Sequence, residues 1–285
     1  MSRIISFKFV AMLYSATALP VLYLRWHSRT KRAENEAFLA THGAIAPESE
    51  RQKALSHLLS GDAQRVDSNE HFEGSRNCSA VRKRAVMMTR GDVLEVGFGT
   101  GEKTLPMFER NHSVKSVTAV DNHALSLDVC RLKLESGEVA INKPLTLVHA
   151  RAEALPFPDN SFDTVLSEFS LCAVEDPVLA LREMARVARN RVILLEHGLS
   201  YWSMIRRLGY WTSLFPDPQH PWSYGCFQDR DIMDIVKQSG VKVKKMQMSS
   251  LGHVFLLTIA PSDGTQETVS DIPQPNVVFS SHSLS

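Results

Sequence analysis

An acidic residue and three alternating glycines form the segment of this sequence that is best suited to bind a ligand. Residues 92–101 have the sequence Asp-Val-Leu-Glu-Val-Gly-Phe-Gly-Thr-Gly, in which Glu95 lies near the end of a short apolar run. Glycines at this spacing let the backbone turn sharply and approach a ligand closely. A helix-compatible segment follows, and nucleotide-like ligands bind at such strand-to-helix turns in open α/β sheets. The segment therefore predicts a nucleotide-type site.

The spacing of the glycines separates three kinds of nucleotide-binding turn. A P-loop ends in Gly-Lys-Ser/Thr, whereas Glu102 separates Gly101 from Lys103 here. A dinucleotide fingerprint is Gly-x-Gly-x-x-Gly, whereas this chain has Gly-x-Gly-x-Gly. An acid two residues before the first glycine repels a pyrophosphate and favours a ligand that carries an amino group or a sulfonium. The pattern resembles the first motif of class I S-adenosylmethionine (SAM) methyltransferases; the alternative is a turn whose glycines serve packing alone.

A second acid, Asp121, directly follows the next apolar segment, residues 116–120. In the resembled family an acid at the tip of the second strand accepts hydrogen bonds from both ribose hydroxyls, and a carboxylate has enough acceptor sites for both. The resemblance therefore implies that Asp121 binds the ribose, and the adjacent Asn122 is included among the predicted cofactor-binding residues. The alternative is that Asp121 caps the helix that Asn122 and His123 begin.

A third segment that resembles methyltransferases is residues 150–163, Ala-Arg-Ala-Glu-Ala-Leu-Pro-Phe-Pro-Asp-Asn-Ser-Phe-Asp. It is similar to the loop that covers the adenine in quinone-biosynthesis-type methyltransferases. The acid that faces the adenine amino group in that family is replaced here by Arg151, which cannot accept a hydrogen bond. The resemblance therefore implies that the Ala152 backbone or Glu153 recognises the adenine, or else that SAM binding is weakened.

The next segments predict a fourth strand near residues 165–172 and a fifth near 191–198, joined by a helix. Asp176 is expected to cap that helix, with Pro177 at its first position. The resembled family has Pro-Gly-Gly between this helix and the fifth strand. This chain has the shorter link Arg189-Asn190, in which we expect Asn190 to adopt the left-handed conformation.

Together, these segments predict an α/β fold with a doubly wound, seven-stranded, mostly parallel sheet, an N-terminal helical extension and a final antiparallel hairpin. The resemblance covers roughly residues 65–260 and implies a SAM-dependent methyltransferase with SAM as its cofactor. The Leu171-Cys172 pair and the ending Leu-Leu-Glu-His-Gly of the fifth strand resemble a subgroup of membrane-anchored methyltransferase-like proteins that includes mitochondrial members.

The resemblance also implies which residues contact SAM and which could act on the acceptor. Phe98 and Leu155 are expected to flank the nucleoside. The full set of predicted cofactor-binding residues is Glu95, Gly97, Phe98, Gly99, Gly101, Asp121, Asn122, Ala152, Glu153 and Glu168. An acceptor that must lose a proton needs a base, and His197 at the tip of the fifth strand is the predicted catalytic residue, with His220 as the alternative.

Composition argues against two classes of binding site, although it does not exclude a local nucleic-acid contact. The 285 residues carry a formal net charge of +1 and the pI is about 7.8, so the chain as a whole lacks the basic character of a nucleic-acid-binding protein. Four cysteines, Cys78, Cys130, Cys172 and Cys226, are too widely spaced for a zinc site. We therefore expect free thiols and no metal.

The N-terminal residues 1–33 contain six basic residues and no acid, and residues 4–24 are mostly apolar. This length just suffices for a membrane-spanning helix, after which the basic cluster would stay on the matrix or cytosolic side. A mitochondrial presequence and a secretory signal are the alternatives. The favoured location is the inner mitochondrial membrane, facing the matrix; the alternative is the endoplasmic-reticulum membrane.

The chain thus divides into an anchor or targeting segment (1–33), a helical linker or cap (34–90), a SAM-binding domain (91–260) and a serine-rich tail (261–285) that is predicted to be disordered. An aromatic insertion, residues 199–226, either forms the acceptor pocket or packs against the cap or a membrane. The expected partner is a methyl acceptor, either a lipophilic, quinone-like molecule or a protein or ribosomal RNA. The alternative function is that of a mitochondrial assembly factor for a ribosome or respiratory complex.

Overall fold

The computed structural model describes residues 76–212, 230–262 and 276–277, together with isolated helical positions between residues 22 and 41. Its strands are β1 (Gly91–Val96), β2 (Val114–Asp121), β3 (Leu145–His149), β4 (Phe162–Glu168), β5 (Ala188–His197), β6 (Val243–Ser249), β7 (Val254–Ile259) and β8 (Asn276–Val277). Its helices are α1 (Arg76–Met87), α2 (Leu105–Arg110), α3 (Ala124–Glu135), α4 (Pro177–Val187), α5 (Ser203–Thr212) and α6 (Ile232–Ser239).

The strands form one sheet in the order β3-β2-β1-β4-β5-β7-β6-β8. Strands β1 to β5 pair in parallel, and β7 runs antiparallel to both β5 and β6. The predicted seven-stranded, mostly parallel α/β fold is therefore confirmed. The eighth strand, β8, has only two residues and lies at the edge of the sheet.

The sheet is buried on both faces, because side chains along each strand alternate between two cores. Leu94 and Leu194 belong to one core, to which α4 and α6 contribute, whereas Val93 and Ile193 belong to the other, to which α1, α2 and α3 contribute. The carboxyl ends of β1, β2, β4 and β5 consequently meet at one edge, which we call the carboxyl edge.

Helix α4 begins as predicted. The Asp176 side chain accepts a hydrogen bond from the Leu179 N–H at 2.9 Å, and Pro177 occupies the first turn. Its apolar face is buried through Ala180, Leu181, Met184, Ala185 and Val187.

The predicted left-handed conformation of Asn190 is wrong. Helix α4 ends at Val187, and Ala188 is already extended (φ −78°, ψ 131°) and pairs with Phe162. Asn190 therefore lies inside β5, where its amide donates to Asp163 at 3.3 Å. No left-handed residue is needed, because the chain passes directly from the helix into the strand.

Several predicted segments fall largely outside the described residues. These include the anchor (1–33), most of the cap (34–90), of which α1 is described, and residues 213–226 of the aromatic insertion. Among the described helices, none combines the length and the apolar character required to cross a bilayer. Of the four cysteines, the structure describes the side chains of Cys130 and Cys172, which are buried and form no disulfide bond.

The tail predicted to be disordered contains one ordered element. Within residues 261–285, Asn276–Val277 form β8 and pair in parallel with Gln247 and Met248 of β6. The N–H and C=O groups of an open sheet edge can bind a further strand with little dependence on its side chains. A serine-rich composition therefore gave no sign of this pairing.

Candidate functional site

Three carboxylates lie together at the carboxyl edge. Glu95 is the next-to-last residue of β1, which lies between β2 and β4, the strands that end in Asp121 and Glu168. Glu95 and Glu168 are buried, with 2% and 8% of their surfaces exposed, and Asp121 is partly buried. This concentration of acid favours a cationic ligand.

The Glu95 carboxyl is the most strongly perturbed member of this group. Burial raises its pKa well above the ordinary value of 4.5, and the nearby charges of Glu168 and Asp121 raise it further. The Thr104 hydroxyl and the Arg82 charge act in the opposite direction. Within the described part of the chain, Glu95 Oε2 has no hydrogen-bond partner. One buried carboxylate oxygen near the end of β1 is thus available to a ligand.

The glycine turn between β1 and α2 has a left-handed backbone at Gly97, Gly99 and Gly101, with φ of 76°, 61° and 71°. A Cβ on Gly97 would lie 2.2 Å from the Ser170 Cβ, and one on Gly101 would lie 2.2 Å from the Phe98 ring. A Cβ on Gly99 would instead meet no atom within 4 Å. Packing therefore accounts for the first and third glycines, whereas the second leaves bare backbone beside open space.

Asp121 fastens this turn to the end of β2. Its Oδ2 accepts the Gly99 N–H at 2.7 Å, and its Oδ1 accepts the His123 N–H at 2.8 Å. Burial raises the pKa of Asp121, and these two N–H groups oppose the rise. Asp121 does not cap α3, whose N-cap position is His123. Each carboxylate oxygen retains acceptor capacity for a ligand hydroxyl, and the exposed Asn122 lies beside it.

Charged side chains of the loop that follows β3 form ion pairs with one another and with the segment before α4. Arg151 forms ion pairs with Glu175 at 2.6 Å and Glu153 at 3.5 Å. Glu153 Oε1 also accepts the N–H groups of Glu175 and Asp176, at 2.9 and 3.2 Å. The Glu153 carboxylate therefore fixes the chain before α4, and Ala152 is buried beside it.

Phe98 and Leu155, which we expected to flank the nucleoside, are each 5% exposed and pack into different cores. Phe98 lies against Gly101, and the Leu155 N–H donates to Glu183 at 3.0 Å. Both side chains are therefore part of the buried cores on which the loops of the site rest.

His197 lies at the end of β5, opposite Val254, and is 4% exposed. Its ring centroid is 5.4 Å from that of Phe169. The Arg82 guanidinium carbon lies 5.3 Å from the centroid of the same Phe169 ring. Arg82 Nε donates to Glu168 at 2.8 Å. His197 thus belongs to the carboxyl edge, next to the β4 side of the acid cluster. The alternative base, His220, lies outside the described residues.

Sequence reasoning missed two residues that organise this edge. Glu196 is fully buried, and its Oε1 accepts the N–H groups of Ser170 and Leu171 at 2.9 and 3.0 Å. An acid after four consecutive apolar residues was a usable signal for it. Arg82 gave none, because it lies on a helix rich in basic residues. Phe169, whose ring lies against Arg82 and whose N–H donates to the Leu195 carbonyl beside Glu196, has a left-handed backbone (φ 50°).

Comparison with known proteins agrees with this geometry. Residues 94–195 match the family model described as a methyltransferase domain, a range that extends from β1 to β5. The chain is 28% identical over 202 residues to the mitochondrial methyltransferase OMS1 of Saccharomyces cerevisiae, covering 62% of this chain and 39% of that protein. It is 42% identical over 106 residues to the ubiquinone/menaquinone biosynthesis C-methyltransferase UbiE of Hahella chejuensis, covering 36% and 42%.

A third relative is the phosphatidylethanolamine N-methyltransferase of Cereibacter sphaeroides, 38% identical over 109 residues, which cover 38% of this chain and 51% of that protein. The chain thus spans between 39% and 51% of the length of these relatives. The matched range contains the glycine turn, Asp121 and Glu168, and its sheet has the order and direction described above. Residues 94–195 of this chain are therefore similar in sequence to methyltransferase domains, and the described sheet has the class I, SAM-dependent methyltransferase fold.

Proposed function

We propose that this protein transfers a methyl group from SAM to a lipophilic, quinone-like acceptor. The observation that carries the proposal is Glu95 Oε2, a buried carboxylate oxygen without a hydrogen-bond partner among the described residues, beside two further acids. A buried polar atom of this kind is costly unless a ligand satisfies it. The open side of Gly99 provides the adjoining space.

The residues present fit SAM in three respects. The acids Glu95 and Glu168 suit the cationic methionine end. Asp121, with the bare Gly99 backbone, suits the ribose hydroxyls. Because the Glu153 carboxylate is bound to the start of α4, the Ala152 backbone is the remaining predicted contact for the adenine. When bound, SAM supplies an already activated methyl group.

The chain itself contributes proximity and alignment, which are worth up to about 7–11 kcal/mol in well-oriented reactions. The Glu196 carboxylate and the backbone of Phe169 hold the β4 turn against Gly97. An acceptor that enters from the β5 side would pass near His197, which is proposed to take a proton from an acceptor that must be deprotonated.

Two observations support a lipophilic acceptor. By their names, UbiE acts in ubiquinone and menaquinone biosynthesis, and the Cereibacter relative acts on phosphatidylethanolamine. The apolar N-terminal segment, residues 4–24, would hold this domain at a membrane. The name of the yeast relative and the acid-free, basic N-terminus together support a mitochondrial location, on the matrix side of the inner membrane.

A second function, that of an assembly factor with a methyltransferase fold, is favoured by one feature. Arg151 occupies the position of the adenine-facing acid and is bound to Glu153 and Glu175. A domain that no longer needed SAM could accept this change. The partner would then be a mitochondrial protein or a ribosomal component rather than a small molecule.

Titration of the full-length protein with SAM by calorimetry distinguishes the two functions. Micromolar affinity is expected for the enzyme, whereas no binding at millimolar SAM would refute it and favour the assembly factor. Incubation of the protein with radiolabelled SAM and a membrane extract then tests the acceptor. Label in the lipid fraction is expected, and label in RNA or protein would contradict the lipophilic acceptor.

A further inference from the structure

The carboxyl edge also carries an exposed apolar surface that methyl transfer does not explain. It consists of Trp202, Met204, Leu208 and Leu251, whose exposed fractions are 43%, 74%, 54% and 69%. We call these four residues the apolar patch. Exposed apolar surface made of several large side chains marks interaction sites, whereas single exposed apolar residues do not.

Two turns are hydrogen-bonded together to build this patch. The Ser200 hydroxyl donates to the Leu251 carbonyl at 2.7 Å, and the Tyr201 N–H donates to the Gly252 carbonyl at 2.8 Å. A Cβ on Gly252 would lie 3.0 Å from Trp202 Cδ1. The turn after β5 therefore lies directly against the turn between β6 and β7, and this places Trp202 next to Leu251.

Helix α5 extends the patch and adds positive charge. Met204 and Leu208 are four residues apart, so they share one face of the helix, and the exposed Arg207 lies beside them. Arg206 instead turns toward the body of the domain, where it binds Asp231 and the Ser200 carbonyl. The α5 sequence, SMIRRLGYWT, contains no acid. Its outward face is thus both apolar and cationic.

The backbone at Leu251 is in an unfavourable conformation while its side chain is exposed. Ser250 and Leu251 have φ of 52° and 55°, in the left-handed region that bulky residues rarely adopt. The tight β6–β7 hairpin turn accounts for these positive φ values, because hairpin turns of this kind have left-handed central residues, and it leaves 69% of Leu251 exposed.

We propose that the apolar patch docks onto an anionic lipid bilayer, with Leu251 and Met204 at the level of the headgroups and Arg207 at the phosphates. Tryptophan and exposed aliphatic residues flanked by arginine have the composition of membrane-interface segments. The same chain has the apolar residues 4–24 with a basic flank, which would bring the domain to a membrane.

The position of the patch gives the docking a consequence for access. His197, at the end of β5, pairs with Val254, the first residue of β7. The turn that contains Leu251, Ser250–Gly252, ends two residues before Val254. The patch therefore lies at the same edge of the sheet as the candidate site. Docking would turn this edge toward the bilayer, from which an apolar molecule could enter. The docking itself does not depend on methyl transfer.

Fluorescence quenching in lipid nanodiscs tests this proposal on the full-length chain. Cysteine is introduced at Leu251, Met204 or, as the control, Leu132, which is 47% exposed on α3. Cys78 and Cys226 are changed to serine; Cys130 and Cys172 are buried and stay unlabelled. Each variant is labelled with the fluorophore NBD and reconstituted in discs of phosphatidylcholine and phosphatidylglycerol that contain headgroup-level nitroxide lipid. Leu208→Cys replaces any label site whose circular dichroism differs from that of the parent chain.

We expect several-fold stronger quenching at positions 251 and 204 than at 132. Equal quenching at all three positions would overturn the proposal. An increase in NBD fluorescence that grows with protein concentration but does not depend on nitroxide lipid would also overturn it. That result would indicate contact between two copies of the chain instead. Arg207→Glu should weaken quenching at position 204 in anionic discs and leave it unchanged in phosphatidylcholine discs. No difference between the two lipids would contradict the role of charge.

Discussion

The Arg82 guanidinium lies 2.8 Å from the Glu168 carboxylate, and the two side chains are only 9% and 4% exposed. This ion pair joins α1, which precedes the first strand, to the end of β4. It also places a positive charge beside the group that contains Glu95 and Asp121. Helix α1 therefore contributes a side chain to the candidate site.

Loss of this pair should destabilise the domain. Arg82→Leu removes the counter-charge of a buried carboxylate, and such changes cost about 3–5 kcal/mol. The measurement is the free energy of unfolding in urea, with Lys83→Leu, an exposed neighbour on the same helix, as the control. The double variant Arg82→Leu/Glu168→Gln should recover much of the loss. A single Arg82 variant as stable as the control would contradict a structural role for the pair.

The three glycines of the turn should respond differently to alanine. Gly101→Ala would force a Cβ to 2.2 Å from the Phe98 ring and should lower the free energy of unfolding by several kcal/mol. Gly99→Ala meets no neighbour and should cost only about 1 kcal/mol, for its positive φ. SAM affinity measured by calorimetry should nevertheless fall in the Gly99 variant. Unchanged affinity there would show that the open side of Gly99 does not face the ligand.

Asp121→Ala should abolish SAM binding without unfolding the domain. The variant loses the proposed ribose contacts and the acceptor that holds Gly99, and hydrogen bonds to a charged group contribute about 1.5–3 kcal/mol each. Calorimetry with SAM gives the affinity, and circular dichroism gives the fold. Asp128→Ala, an exposed acid on α3, serves as the matched control. Affinity equal to that of the parent protein would refute the site.

Stability should depend on pH through Glu95. Burial raises its pKa in the folded state above the unfolded value of 4.5, so the neutral form stabilises the fold fully below about pH 4.5. This contribution is lost as pH rises through the folded pKa. Glu95→Gln is neutral throughout and should therefore be more stable than the parent protein at neutral pH, with the difference vanishing toward pH 4. Thermal unfolding across this range provides the measurement.

SAM binding should show the opposite sign. A cationic ligand favours the ionised Glu95, so the affinity of the parent protein should rise with pH until this carboxyl is ionised. Glu95→Gln should bind more weakly and without this pH dependence. An affinity that is equally pH-dependent in both proteins would assign the titration to another group.

The sequence predicted those helices and strands whose hydrophobic pattern and capping residues lie within the element itself. The sheet followed from buried apolar runs that end in acids, and the start of α4 followed from Asp176 and Pro177, whose effects are local. Contacts between distant segments could not be predicted in this way. The Arg82–Glu168 pair joins residues 86 positions apart, and nothing in either segment indicates the other. The engagement of Glu153 by the N–H groups of Glu175 and Asp176 likewise depends on how two loops meet.

The direct passage from α4 into β5 leaves no loop between them to absorb a change in length. Helix α4 begins at the carboxyl edge, where Glu153 binds the two residues that precede the helix, and β5 returns to the same edge, where Glu196 binds the β4 turn. One inserted or deleted residue near Ala188 would shift β5 by one position and exchange its two faces. Glu196 would then point into the opposite core. This junction should consequently be among the places in the chain least tolerant of changes in length, although it contacts no ligand.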